Sequence, residues 1–459
     1  MRQGILALIL AAGKGTRFKS EKIKVLHSLL GKSMLQWVVD CILRLNPKNV
    51  YVVVGYQKEE VMKEAFSKKV NFIIQNEQLG TANAVLSARS ALKKHLDKDV
   101  LIIHGDLPLI KPETLRPMLN LHRKKGNSLT FLSAELEDPS GFGRIIYLGD
   151  NKIRIVEEKD VTPTQRRMKE INVGIYVFKI KDLLQALPEI SNQNKKGEYY
   201  FTDIIEILTR KGKKIGIFKT RQNEEVVGVN DRIELSRAVD VLRKRKIQSL
   251  AEMGVTVYDP ATAWIDSNVK IGRDTIIYSS VIIEGNSVIG RQCLLYPFVH
   301  IIDSRVGNDV KILTSTMIED STIADRVQVG PFTHLRPKTV LKKQSKVGNF
   351  VEMKNTVFGR NSKAGHLSYL GDSEVGEGVN IGAGTITCNY DGINKNKTTI
   401  EAGVFIGSGT QLVAPVRVGK KAYIGAGSTI TKDVSSEALA ISRSRQVEKA
   451  GWVRRKKRK

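Results

Sequence analysis

Asp106 stands directly after Val100-Leu-Ile-Ile-His104-Gly105, an apolar run that reads as a buried strand. A carboxylate at the carboxyl end of a parallel strand lies on the edge where such sheets bind ligands. Mg2+ takes only one or two protein oxygens when phosphate and water complete its shell. Asp106 is therefore a candidate metal ligand or, in the plainer alternative, a cap for the turn ahead of Pro108. Near the start, Leu10-Ala11-Ala12-Gly13-Lys14-Gly15-Thr16-Arg17 follows another strand-like run. Phe18 occupies the last glycine position of a dinucleotide fingerprint, and the Walker spacing is absent. What is left is a tight turn whose bare backbone can approach an anion, with Lys14, Arg17 and Lys24 close by. In the second half, His334 and His366 are candidates for moving a proton near neutral pH.

These residues need elements to hold them. Up to residue 230, aliphatic runs at 5–10, 50–54, 100–103 and 128–132 alternate with amphipathic stretches at 33–45, 58–66 and 81–92. That alternation predicts an α/β domain with a mostly parallel, Rossmann-like sheet covered on both faces. Residues 231–252 predict one connector helix with Ile233, Ala238, Val241, Leu242 and Leu250 on its apolar face, and a basic collar at 243–246. From Ile265 the period becomes six: Ile265, Ile271, Ile277, Ile283, Ile289, Leu295, Ile301. The phase slips by one to Val306, Ile312 and Ile318, and again to Ile323, Val329, Leu335, Leu341, Val347 and Met353. Later registers are Phe358, Ala364, Leu370; Val375, Ile381; and Ile400, Ile406, Leu412, Val418, Ile424, Ile430. Six-residue repeats predict a parallel β-helix with one aliphatic residue per side of each coil. The gap after Ile381 predicts a loop at 387–397. The expected domains are 1–230, 231–252 and 253–459, the last ending in a basic tail.

Lys and Arg number 74 against 47 acidic residues, a net charge of +27, six of it from residues 454–459. Such a surface attracts anions without specifying which, and the terminal run reads as a solvated tail. Cys41, Cys293 and Cys388 form no CxxC pair and suit a reducing compartment. Arg2 and the apolar run 5–12 imitate a secretory leader, but Gly13-Lys14-Gly15-Thr16-Arg17 stands where a cleavage site belongs. No run approaches the roughly 18 apolar residues of a membrane span. A soluble, cytoplasmic protein is expected.

The glycine turn and Asp106 are joined by Gln75-Asn-Glu-Gln78-Leu-Gly80-Thr81, Gly141-Phe-Gly143-Arg144, Ile155-Val-Glu157-Glu-Lys159-Asp, Asn172-Val-Gly174, Glu198-Tyr-Tyr-Phe-Thr-Asp203 and Gly228-Val-Asn230-Asp-Arg. The second half carries His334-Leu-Arg336-Pro, Gly348-Asn-Phe-Val-Glu-Met-Lys354, Gly365-His366-Leu-Ser-Tyr369-Leu-Gly-Asp372 and Asn380-Ile-Gly-Ala383-Gly-Thr-Ile-Thr-Cys-Asn389-Tyr390. In this order the motifs resemble the bifunctional N-acetylglucosamine-1-phosphate uridylyltransferase/glucosamine-1-phosphate acetyltransferase family over essentially the whole chain. The resemblance implies a left-handed β-helix, acetyl transfer from acetyl-CoA to glucosamine-1-phosphate, and Mg2+-dependent uridylyl transfer from UTP to the product. It implies that Leu10, Ala12, Gly13, Lys24, Gln75, Gly80 and Thr81 hold the nucleotide, with Arg17 and Lys24 as catalytic cations. Gly143, Glu157, Asn172 and Asn230 would hold the sugar, and Asp106 and Asn230 the metal. In the second half it implies His366 as general base, with His334 as the rival. Arg336, Lys354 and Lys397 would receive the sugar phosphate, and Tyr369, Asn380 and Asn389 the sugar. Ala383, Asn389, Tyr390, Ser408, Ala426 and Arg443 would border acetyl-CoA. A homotrimer is implied.

Three positions depart from the family pattern: Ile23 stands where Pro is usual, Asn83 where His is common, and His104 where Tyr is common. Without that Pro, Lys24 is expected to be less firmly placed. Two other readings stay open at this point. The β-helix could be only an oligomerisation module, or the basic collar and tail could bind nucleic acid or an anionic membrane. Aromatic residues are only 6% and no RNA-binding signature is present, so no specific nucleic-acid partner is expected.

Overall fold

The computed structural model describes residues 4–64, 70–149, 152–194 and 197–456. Arg2, Phe66 and the last three residues of the basic tail lie outside them. The chain divides into two compact units, Met1–Leu242 and Arg243–Lys459.

The first unit is built on one sheet of β1 (Leu6–Leu10), β2 (Asn49–Val54), β3 (Val70–Ile74), β4 (Asp99–His104), β5 (Leu129–Glu135), β6 (Gly143–Tyr147), β7 (Ile153–Val156), β8 (Glu170–Lys179) and β9 (Ile215–Thr220). Its order is β9-β5-β8-β4-β1-β2-β3, with β6 paired to β8 and β7 to β6. β1 to β4 run parallel, as strands returned by helices must. The sheet departs from that pattern at β8, which runs antiparallel to both β4 and β5. Helices cover both faces of the parallel core, so Leu6, Leu8 and Ile9 are all wholly buried and the strands read as unbroken aliphatic runs. The helix expected over 81–92 breaks at Ala88 into Thr81–Ser87 and Arg89–Leu92.

The connector is a single helix, Arg232–Glu252, and the division between the units falls within it. Ala238 and Leu242 pack with Phe18, Leu29 and Met34. Ile233, expected on the apolar face, is 65% exposed, and Leu235 packs there instead. Nor is the basic collar free. Arg243 Nη1 donates to Ala261 O at 2.6 Å and Lys246 Nζ to Val269 O at 2.6 Å, closing carbonyls at the start of the second unit.

The second unit is a left-handed β-helix whose three walls begin at Thr256–Val257, Trp264–Ile265 and Lys270–Ile271. Each wall is a parallel sheet running up the stack. Every aliphatic residue of the six-residue series, from Ile265 to Ile430, is buried, and together they form one continuous core. Some corners hold a buried Val, as at Val351 and Val379, and others a small residue whose hydroxyl satisfies a carbonyl of the next coil. Thr333 Oγ1 donates to Gly348 O at 2.6 Å and Ser362 Oγ to Gly376 O at 2.7 Å. The phase slips are absorbed at corners, so Val306 still stacks on Ile289 and Ile323 on Val306. The loop expected at 387–397 starts later. Thr387 is buried as a polar rung in register with Leu412, and its hydroxyl accepts from Gly371 N at 2.7 Å. Only residues 389–397 leave the coil, because a hydroxyl satisfied by the neighbouring rung can replace an aliphatic side chain.

Truncating a rung leaves a cavity that stacked coils cannot close. Leu335→Ala should lower the stability of the second unit by about 2–5 kcal/mol, read by denaturant unfolding. Uridylyl transfer by the first unit should survive at denaturant concentrations that unfold the second.

Candidate active sites

β1 and β4 are neighbours, so the turns after Leu10 and His104 leave from the same edge of the sheet. Gly105 N donates to Leu10 O at 2.9 Å, and Val229 N to Asp106 O at 2.9 Å, which brings Asn230 to that edge as well. Cavities of about 530, 570 and 220 Å³ open there and share lining residues. Leu10, Ala12, Gly13, Lys24, Gln75, Gly80 and Thr81 line the first of these with Asp106. Arg17, Lys24 and Glu157 line the second. Arg17, Thr81, Asp106, Gly143, Glu157, Asn172 and Asn230 line the third. Every residue expected at this site thus faces one cleft.

Its centre is a lysine. Lys24 Nζ donates to Asp106 Oδ2 at 2.5 Å and to Asn230 Oδ1 at 3.4 Å, while Arg17 Nη2 donates to the same amide oxygen at 3.2 Å. Lys24 is not loosely placed: Ile23 is buried, and Gly15 at φ 63° brings the turn so close that a Cβ would stand 2.7 Å from Lys24 Cβ. Burial pushes the Asp106 carboxyl up, but Lys24 and His104 outweigh it and hold the group below its ordinary value. Burial dominates at His104 and drives that imidazole down, against the pull of Asp106. Among the described residues no three His, Cys, Asp or Glu side chains cluster as a metal cage. Asp106 and Asn230 nevertheless present two hard oxygens within reach of one cation, a donor set that fits Mg2+ sharing its shell with phosphate and water.

Several partners were not legible beforehand. Gln75 Nε2 donates to Asn83 Oδ1 at 2.7 Å, which makes Asn83 the holder of Gln75. Tyr176 OH accepts from Asn172 Nδ2 at 2.7 Å, and Thr202 Oγ1 donates to Glu157 Oε1 at 2.8 Å. The first and third of these contacts join residues on different elements, for which spacing carries no signal, and the second spans four residues of β8 across its irregularity. Behind Glu157 a further cavity of about 370 Å³ holds Asp203. Burial, then Glu157 and Glu206, pushes its carboxyl up to about 6.

In the β-helix one corner carries the second set. Asn349 and His366 pair across adjacent coils. Continuing the register from Ala364–Ile381 places Ala383 over His366, then Ser408 and Ala426. Gly409 N donates to Ala383 O at 2.7 Å and Gly427 N to Ser408 O at 2.8 Å, and Arg443 Nη1 donates to Ala426 O. Small residues thus run up one column from the imidazole at roughly 4.8 Å per coil. His334 is placed otherwise, on the second wall, where Nε2 meets Glu319 Oε2 at 2.7 Å.

Around that corner the second wall carries Arg336, Lys354 and Tyr369. Arg336 Nη1 donates to Glu352 Oε1 at 2.8 Å, and Glu352 pairs with Tyr369 across coils. Gly371 leaves room for the Tyr369 ring, since a Cβ there would stand 2.4 Å from its hydroxyl. Asn389 Nδ2 donates to Asp372 Oδ2 at 2.5 Å, and Tyr390 OH donates to Gly392 O at 2.6 Å. The lysine brought against Lys354 is Lys395, and that proximity, with Arg336 behind it, lowers the Lys354 pKa. Lys397, expected there, is instead paired with Glu374 at 2.6 Å. The choice turns on the loop: Tyr390 and Lys395 form a bridge that folds Lys395 back while Lys397 rejoins the coil. Asn380 begins its strand on the first wall, away from the Arg336–Lys354–Tyr369 group.

Residues 6–267 match the family model described as nucleotidyl transferase, and residues 397–432 match bacterial transferase hexapeptide (six repeats). Bifunctional protein GlmU of Thermotoga maritima is 50% identical over 98% of this chain and 99% of its own length. The proteins of that name from Thermoanaerobacter pseudethanolicus and Geobacillus sp. (strain WCH70) are 47% and 46% identical, over 100% and 98% of this chain and 99% and 97% of theirs. The chain belongs to the bifunctional GlmU family. Like its GlmU relatives it is a bifunctional enzyme, a nucleotidyltransferase joined to a hexapeptide-repeat acyltransferase. It acetylates glucosamine-1-phosphate from acetyl-CoA and uridylylates N-acetylglucosamine-1-phosphate from UTP with release of pyrophosphate. Among the described residues no helix is long and apolar enough to cross a membrane.

The Asp203 carboxyl gives the first unit a measurable signature. A carboxyl whose folded pKa is raised weakens the fold as pH rises from its unfolded value, near 4, through about 6. Asp203→Asn should therefore stabilise the first unit by about 1 kcal/mol at pH 8, a figure reduced for partial solvent screening, and by nothing at pH 4. Urea unfolding at the two pH values measures the difference.

Proposed function

We propose that the two reactions run at the two sites described, with the residues in the following roles. The reading is carried by the convergence of Lys24, Arg17, Asp106 and Asn230 on one point of the first cleft. Uridylyl transfer joins two polyanions, so alignment and charge neutralisation account for most of the catalysis. An oxygen of the sugar phosphate attacks the α-phosphorus of UTP as the bond to pyrophosphate breaks. Leu10, Ala12, Gly13, Gln75, Gly80 and Thr81 bind the nucleotide, and Gly143, Glu157, Asn172 and Asn230 the sugar. Arg17 and Lys24 neutralise the phosphates, and no general base is needed because the attacking phosphate is already ionised. Asp106 and Asn230 would hold Mg2+, which supplies Lewis-acid neutralisation of the triphosphate when bound.

At the β-helix site, Arg336 and Lys354 receive the sugar phosphate together with Lys395, which the geometry favours over Lys397. Tyr369, Asn380 and Asn389 meet the sugar. Ala383, Ser408 and Ala426 leave room for the pantetheine arm, with Tyr390 and Arg443 bordering acetyl-CoA. His366 Nε2 takes the proton from the amine as its nitrogen attacks the thioester carbonyl. The C–S bond breaks and the proton passes to the departing thiolate, giving CoA.

The working form is a cytoplasmic homotrimer. Phe298, Phe332, Phe350 and Leu367 stand exposed up the same corner, with Phe332 and Phe350 stacked at 5.4 Å, and a neighbouring copy would cover them. Asn380 lies apart from the other sugar contacts within one chain, so a neighbour's Asn380 would complete the acceptor site.

His366→Ala should abolish CoA release from glucosamine-1-phosphate and acetyl-CoA, while pyrophosphate release from UTP and N-acetylglucosamine-1-phosphate continues. Lys24→Ala should cut uridylyl transfer by about 100-fold or more and spare acetylation. Chelation of divalent cations should stop uridylyl transfer and leave acetyl transfer running.

A further inference from the structure

The imidazole of His366 is not held by a carboxylate. His366 Nδ1 lies 2.7 Å from Asn349 Oδ1, and Asn349 is the residue paired with it one coil below. An amide oxygen only accepts, so the ring nitrogen facing it must carry the hydrogen. A neutral imidazole with its proton on Nδ1 has its lone pair on Nε2. The rest of the corner keeps this pair in register. Leu367 N donates to Asn349 O at 3.1 Å, and Ser368 Oγ donates to His366 O at 2.8 Å. Both contacts fix the backbone at the corner, so the ring is held by its ladder neighbour Asn349 on a fixed backbone.

We infer that Asn349 is a positioning residue for acetyl transfer: it fixes the tautomer and orientation of His366 so that Nε2 is the nitrogen that accepts the amine proton. The inference rests on the reading of His366 as the base. Asn349 touches neither the amine nor the thioester and acts only through the ring. An amide differs from the carboxylate usual at such positions. It orients the base without adding a negative charge, and this site must also admit a sugar phosphate and the phosphates of CoA. The wall around it is cationic, with Lys346 and Lys363 on the same two strands. A neutral partner keeps that field intact for polyanionic substrates.

The test uses the full-length enzyme and three variants. Asn349→Leu keeps the volume but removes the acceptor, Asn349→Asp keeps an acceptor, and His366→Ala removes the base. For Asn349→Leu, kcat for acetyl transfer should fall about 10- to 100-fold, with KM for glucosamine-1-phosphate and acetyl-CoA within about two-fold. Asn349→Asp should keep kcat within several-fold of the parent. With ¹⁵N-histidine labelling, the His366 signal (the one missing in His366→Ala) should report hydrogen on Nδ1 in the parent and lose that bias in Asn349→Leu. CoA binding to Asn349→Leu at parental affinity shows that the coil is intact. A parental kcat in Asn349→Leu, or a loss expressed only in KM, overturns the positioning role. If His366→Ala itself still releases CoA, the base assignment has failed instead, and the two failures are told apart.

Discussion

Parallel register is the constraint on which both halves of this enzyme depend. Strands that run the same way end on the same edge, so whatever follows them is gathered without further instruction. In the first unit this brings the turn after Leu10 and the Asp106 turn together, because β1 and β4 are hydrogen-bonded neighbours. In the second unit it works vertically. One inward aliphatic residue per wall locks each coil over the last, and outward residues at equivalent positions become columns. Asn349, His366, Ala383, Ser408 and Ala426 belong to five successive coils and still form one line.

Both sites manage concentrated charge, by different means. In the first cleft Lys24 lies between Asp106 and Asn230, so the oxygens suited to a divalent cation and the cation suited to phosphate are stored against one another. That arrangement holds the Asp106 carboxyl ionised despite its burial. In the β-helix the cations cluster at the surface, and Lys395, with Arg336 behind it, lowers the Lys354 pKa. An anion held between these cations would relieve that repulsion.

Much of this was legible in advance because repeating patterns are local. The six-residue period marked every aliphatic rung, and the alternation of short runs marked the parallel strands of the first unit. The family resemblance carried by the ordered motifs named the cleft residues. Misreadings occurred where a pattern was interrupted by something satisfied elsewhere. Thr387 did not look like a rung because its hydroxyl is completed by Gly371, sixteen residues earlier. Ile233 looked like a face residue because periodicity alone cannot say which stripe of a helix is covered. Lys397 was expected beside Lys354, where the fold brings Lys395, because neither spacing nor residue type says which lysine a nine-residue excursion folds back.

The amino-acid order by itself determined the two architectures, the rung series and the identity of the groups able to do chemistry. Burial of aliphatic side chains at a fixed period is encoded in neighbouring residues. The tertiary structure alone decided which of those groups meet: Lys24 with Asp106, Asn83 with Gln75, Asn349 with His366, and Lys395 rather than Lys397 with Lys354. Electrostatic and hydrogen-bond partners act over a few ångströms in space, and separations of 8 to 82 residues along the chain carry no trace of that distance.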